Sequence, residues 1–195
     1  MNKTRLEAFS DAVLAIIITI MVLELKVPHG STLSALEPLV PVILSYIMSF
    51  VFLAIYWNNH HHLLHTIKKV NGRILWANFH LLFWLSLVPF VTGWMGENHF
   101  APATMALYGF ILLMSAIGYY ILVLTILKSH GKDSLLARAI GKDLKGKISV
   151  VLYILGIAGT LINSWIAAAF YVAVAIIWLV PDKRIEQAIY SEENK

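Results

Sequence analysis

The chain has 195 residues, 59% of them hydrophobic and 13% charged, with no cysteine; a soluble domain carries roughly 45–50% and about 25%. A mean hydropathy of +0.75 is more apolar surface than so short a chain can hide in its own interior, so the composition excludes a soluble globular protein and points to an integral membrane one. The missing cysteines exclude a disulfide-stapled fold, an iron–sulfur protein and a thiolate zinc site, and the net charge of +4 is spread between apolar runs, which argues against a nucleic-acid partner.

A bilayer core about 30 Å thick needs roughly 20 apolar helical residues to cross it. A first span covers about residues 5–27 and is stopped by Pro28-His29-Gly30. A second covers 38–66, a third 73–96 and a fourth 102–128. The apolar run from Ile148 to Val180 would make a single helix about 50 Å long at about 1.5 Å per residue, too long for one pass. Broken at Asn163-Ser164 it gives two short spans, 147–162 and 164–181. The expected fold is therefore all-α: one six-helix transmembrane domain filling residues 1–195. A cleaved signal peptide is the competing reading of the N-terminus, but Glu7 and Asp11 interrupt its entry and no small-residue cleavage site follows Leu25.

Lysine and arginine accumulate in short cytoplasmic loops. With six spans and the N-terminus inside, the cytoplasmic segments hold Lys3 and Arg5, then Lys68, Lys69 and Arg73, then the basic run from Lys128 to Lys147, then Lys183, Arg184 and Lys195. Only Lys26 falls outside, so both termini are expected in the cytoplasm. Between the fourth and fifth spans, Leu135, Leu136, Ala139 and Ile140 share one face, with Lys132, Arg138, Lys142 and Lys145 elsewhere. That is the pattern of a short helix lying on an anionic leaflet.

Ionisable groups inside a span cost several kcal/mol unless paired or hydrated. Helical rise places Asp11 about 9 Å in from the cytoplasmic end, Trp57 and His60 about 16 and 12 Å, and Asn78 and His80 about 8 and 10 Å. A carboxylate, an indole N–H, an amide and two imidazoles at similar depth can satisfy one another, bracketing three spans together. On the first span, Arg5, Phe9, Ala12, Ile16, Thr19 and Leu23 fall on one stripe, with Ser10 and Asp11 off it on different sides. Such a stripe suits a helix that lines an axis, although most apolar stripes are ordinary packing faces.

The run His60, His61, His62 and His65 contains an i, i+4 pair and resembles in reverse the histidine boxes of membrane desaturases. Those di-iron sites need many more histidines in several boxes, whereas His29, His80, His99 and His130 are scattered singly. No metal is therefore expected. One or two of the four join the polar layer and the rest face water.

The opening Arg5-x-x-x-Phe9-Ser10-Asp11 ahead of an apolar first span resembles the signature of the transmembrane protein 175 family in its short bacterial form. Trp57-x-x-His60, and Asn78 followed eleven residues later by Pro89, add to the likeness. The resemblance implies a multi-pass protein of the bacterial inner membrane, a homotetramer with one central pore lined by the first helix, and passive potassium permeation without a TVGYG filter. By position it makes Ile16 the hydrophobic constriction, Thr19 a hydroxyl layer above it and Leu23 a further apolar layer. Arg5, Ser10 and Asp11 would hold the first helix against Trp57 and the third-span polar residues. The triple histidine beside His60 departs from the family pattern.

The expected function is thus a potassium-permeable cation channel, not an enzyme, with moderate preference for potassium over sodium and no cofactor beyond the permeant ion. Two alternatives use other features. A secondary transporter would place charged or broken-helix sites at the midplane between internal repeats; here the middle of the first span is apolar and no repeat is visible. A membrane enzyme would have to use the histidine run, which has no second shell of acids.

Overall fold

The structure is a computed structural model describing residues 2–131, 134, 136–137 and 144–179. Its elements, in order, are α1 (Lys3–Leu23), a 3-10 helix (Leu33–Leu39), α2 (Val40–His65), α3 (Gly72–Ser86), α4 (Val88–Glu97), α5 (Pro102–His130), α6 (Leu144–Gly159) and α7 (Ser164–Leu179). No strand occurs among the described residues. By length and composition α1, α2 with its preceding 3-10 turn, α3 with α4, and α5 can each cross a membrane, and α7 is a shorter apolar helix.

Local chemistry sets the boundaries. Asn2 caps α1 by accepting from the Thr4 N–H, and α1 ends at Leu23, before the apolar run does. Pro38 lies inside the 3-10 turn and Pro41 in the first turn of α2, where a missing N–H costs nothing. The third apolar run is not one helix but two. Proline cannot donate to the carbonyl four residues back, so Pro89 breaks the ladder and the chain bends at Leu87 between α3 and α4. Beyond α4, His99 and Phe100 take left-handed backbone, with φ of 50° and 60°. Phe100 is held there by its N–H on the Met95 carbonyl, 3.0 Å, and by its ring against Trp165, 5.8 Å between centroids. The last apolar run turns at Thr160–Asn163, and the Asn163 carboxamide accepts from the Trp165 N–H to start α7.

The spans formed by α1, by α2, by α3 with α4, and by α5 alternate in direction, as contacts at the two ends show. At one end Lys3 Nζ donates to the His65 carbonyl (2.9 Å), the Lys68 N–H to His130 Nε2 (3.1 Å) and Asn71 to Ser129 (2.9 Å). At the other end Lys26 pairs with Glu97 at 2.8 Å. That hydrogen bond holds the Lys26 ammonium above the usual lysine range, and the exposure of both side chains makes the pair a weak contributor to stability. One end is consequently basic, bearing Lys3, Arg5, Lys68, Lys69, Arg73 and Lys128. The opposite end carries Glu24, Glu37 and Glu97 beside Lys26.

Helix α5 sits centrally, packed on α3, α4, α6 and α7, while α1 lies against α2, α3 and α4. Lipid tails are as apolar as leucine, so close approach rather than water exclusion holds such a bundle. A Cβ on Gly96 would lie 2.7 Å from Val42 Cα, and one on Gly156 would lie 2.5 Å from the Tyr171 ring. The buried core of Tyr108, Tyr153 and Tyr171 is tied by Tyr171 Oη donating to the Met105 carbonyl (3.1 Å) and by contacts of the Ser49 hydroxyl with Thr92 (2.7 Å) and Tyr108 (3.0 Å). Of the short amphipathic helix expected after the fourth span, Lys132, Leu135, Arg138, Ala139, Ile140 and Lys142 lie outside the described residues, as do Lys183, Arg184 and Lys195. Leu136 is buried, and Lys145 stands in the first turn of α6.

Candidate functional site

The polar groups of α1, α2 and α3 form two adjacent hydrogen-bonded sets. In the first, Asn78 of α3 donates through Nδ2 to Ser10 Oγ of α1 (3.0 Å), while its Oδ1 contacts His60 Nε2 of α2 (2.7 Å). Ser10 passes its own proton to the Leu6 carbonyl at 2.9 Å. All three side chains are buried. Because an amide oxygen only accepts, His60 Nε2 carries the proton in this contact. In the second set Trp57 Nε1 donates to Asp11 Oδ1 at 3.0 Å, and Trp57 is 44% exposed.

The two sets are separate because Ser10 and Asp11 project about 100° apart on α1. Asp11 therefore holds Trp57 and leaves Asn78 to Ser10 and His60. The expected layer also included His80, and the structure turns that residue elsewhere. His80 lies about 200° round α3 from Asn78, where its Nε2 accepts from Trp84 Nε1 on the same helix (3.1 Å) and its ring approaches Gly118 of α5. Similar depth does not imply the same side of a helix. Arg5 is exposed and makes no side-chain contact with these sets among the described residues. Phe9 is also exposed, with its ring edge-on to Phe79 at 5.7 Å.

Of the four histidines at the end of α2, His60 enters the buried set. The others form a ring stack running out from Trp57: His61 stacks on Trp57 (5.8 Å) and meets His62 and His65 edge-on (5.7 and 5.8 Å). Among the described residues no three His, Asp or Glu side chains come together as a set of metal ligands.

On α1, Leu6, Ser10, Leu14, Ile17 and Met21 are buried against the other helices. Arg5, Phe9, Ala12, Ile16, Thr19 and Leu23 are exposed, Ile16 at 58% and Leu23 at 76%. The Thr19 hydroxyl donates to the Ala15 carbonyl at 2.8 Å, which commits its proton and leaves its lone pairs facing outward. Sequence reasoning passed over Ser49, Thr92 and Tyr108, the other buried hydroxyl cluster; Ser49 and Thr92 were visible as hydroxyls inside apolar runs.

Apolar membrane-length helices, bracketed by polar groups buried within the bundle, define a multi-pass helical membrane protein. A potassium channel of Chryseobacterium sp. (strain P1-3) is 58% identical over 189 residues, covering 97% of this chain and 98% of that one. A potassium channel of Streptomyces collinus is 30% identical over 128 residues, 61% and 62% of the two chains. Residues 5–89 match the family described as endosomal/lysosomal potassium channel TMEM175. The crystal structure of a lysosomal potassium-selective channel TMEM175 homolog from Chamaesiphon minutus superposes with a TM-score of 0.80 at 29% identity, covering 92% of this chain and 97% of that one. The chain belongs to the TMEM175 channel family.

Proposed function

We propose that the chain is one subunit of a potassium-permeable channel of the bacterial cell membrane, in which four copies arrange α1 around a central pore. The observation that carries this reading is the split of α1: Ile17 is 4% exposed and Ile16 is 58% exposed. An apolar stripe left unpaired in one subunit, on a helix whose other face is bracketed to α2 and α3, supports a role at an axis between copies. The potassium channels among the relatives supply the ion.

In this reading four Ile16 side chains form a narrow apolar ring that impedes hydrated ions and can close by dewetting. Four Thr19 hydroxyls, their protons already donated to Ala15 carbonyls, offer lone pairs that replace part of an ion's water shell. Potassium surrenders water more readily than sodium, so the ring favours potassium. With one hydroxyl per subunit and no carbonyl filter, the preference is moderate. Leu23 adds a further apolar layer at the far end of α1. Ser10, Asp11, Trp57, His60 and Asn78 act as the bracket that keeps this face turned inward.

Six spans with both termini cytoplasmic suit the basic end, which the positive-inside tendency directs to the cytoplasm and its anionic lipids. Purified protein in liposomes tests the function. A channel passes potassium down its gradient with no coupled ion, and flux that requires a second ion gradient would replace the channel with a transporter.

A further inference from the structure

A cavity of about 340 Å³ lies between α2, α5, α6 and α7, at the small end of the roughly 300–1,000 Å³ usual for small-molecule sites. Its walls are mostly apolar, with Phe52, Ile55, Val123, Val150, Val174 and Trp178 among them. No residue of α1 lines it, so it is separate from the proposed pore. Among the polar groups that also line it, Tyr153 and Lys147 mark its two ends. Tyr153 lines the inner end and is 2% exposed. At the other end Lys147, exposed and in the first turn of α6 at the basic end of the bundle, lines the mouth. Among the described residues no acidic side chain lines the space.

We propose that this cavity binds an anionic amphiphile with a hydrocarbon chain, the chain lying along Phe52, Ile55, Val150 and Val174 and the acidic head paired with Lys147. The apolar walls select hydrocarbon, and the Lys147 ammonium at the mouth selects a negative head. A lysine near a helix end keeps its ammonium at the polar boundary while its stem lies along apolar surface, where an amphiphile's head also rests. The six residues from Lys147 to Tyr153 span about 9 Å along α6, enough for part of an acyl chain. Tyr119, another lining residue, donates to the Asn59 carbonyl at 3.2 Å, and Asn59 precedes His60 of the bracket. Occupancy therefore braces the segment of α2 that holds α1. A free fatty acid and the acyl tail of an anionic phospholipid share this chemistry.

The test uses purified, delipidated full-length protein in neutral detergent, titrated with oleate, with dioleoyl phosphatidylglycerol and with dioleoyl phosphatidylcholine, following radiolabelled ligand and melting temperature. Saturable binding of oleate alone identifies a free fatty acid, and binding of phosphatidylglycerol as well identifies a membrane lipid. Either supports the site, provided that phosphatidylcholine binds more weakly. Val150→Trp fills the space and should abolish binding. Lys147→Glu, at an exposed position that leaves the fold alone, should raise Kd about tenfold. Absence of saturable binding by either anionic probe, or affinity unchanged in Lys147→Glu, would overturn the proposal. Binding is read without ion flux, so failure here leaves the channel reading standing.

Discussion

Asn78 and Ser10, 68 residues apart, meet at 3.0 Å in the contact between α3 and α1, with both side chains wholly buried. Asn78 also holds His60, so one carboxamide joins three helices. Asn78→Leu keeps the approximate volume and removes both contacts. Ser10 retains the Leu6 carbonyl, but His60 is left with neither ring nitrogen bonded, at a cost of about 1–3 kcal/mol. Thermal unfolding in detergent should show a clear drop in melting temperature.

Asp11 has a narrower task, because Trp57 is its partner and Trp57 is half exposed. Asp11→Ala should cost the fold less than Asn78→Leu, about 0.5–1.5 kcal/mol, and Asp11→Asn, which keeps a carbonyl oxygen for the indole, less again. Comparing the three melts checks the order. A larger loss in Asp11→Ala than in Asn78→Leu would mean that Asp11 supports the buried set as well.

Gly96 brings α4 onto the backbone of α2, where an added Cβ would sit 2.7 Å from Val42 Cα. The neighbour is main chain and cannot rotate away, so Gly96→Ala should destabilise by about 1–3 kcal/mol. Gly93, with nothing within 4 Å of its added Cβ, is the control, and Gly93→Ala should melt near the parent.

The alternation of the helices fixes which loops share a side. Cysteines introduced at Lys69 and Arg138 should stay unlabelled by an impermeant thiol reagent in intact cells, whereas those at His99 and Asn163 should react. Labelling at Lys69 with protection at His99 would invert the proposed orientation.

Much of this architecture was legible because hydropathy and helical period are local properties. The apolar runs located the helices, and the turn at Asn163 followed from a run too long for one pass. Three features were hidden for physical reasons. The third run reads as continuous in hydropathy, since proline is not polar; its missing N–H is what divides α3 from α4. Helix α1 stops at Leu23 although Leu25 and Val27 are apolar, because hydropathy does not report where backbone bonding ends. Depth along a helix gave the polar layer its height but not its side. His80 was therefore grouped with Asn78, although two residues' rotation faces it toward Trp84 and α5. The division of labour between Ser10 and Asp11 depends on that same rotation, and on how α2 and α3 close around α1.

The central claim is that the exposed stripe of α1 surrounds the pore, and neighbouring isoleucines on different faces of the helix test it most directly. Ile16 is exposed and Ile17 is buried against the other helices, about 100° away. Planar-bilayer recordings of Ile16→Asn should show larger cation current and weaker discrimination between potassium and sodium, because a wetted, wider ring no longer forces dehydration. Ile17→Asn buries an amide in the bundle and should lower stability while the channels that do form keep parental selectivity. Unchanged conductance and selectivity in Ile16→Asn, together with altered selectivity in Ile17→Asn, would place the pore on another face of α1 and contradict the account.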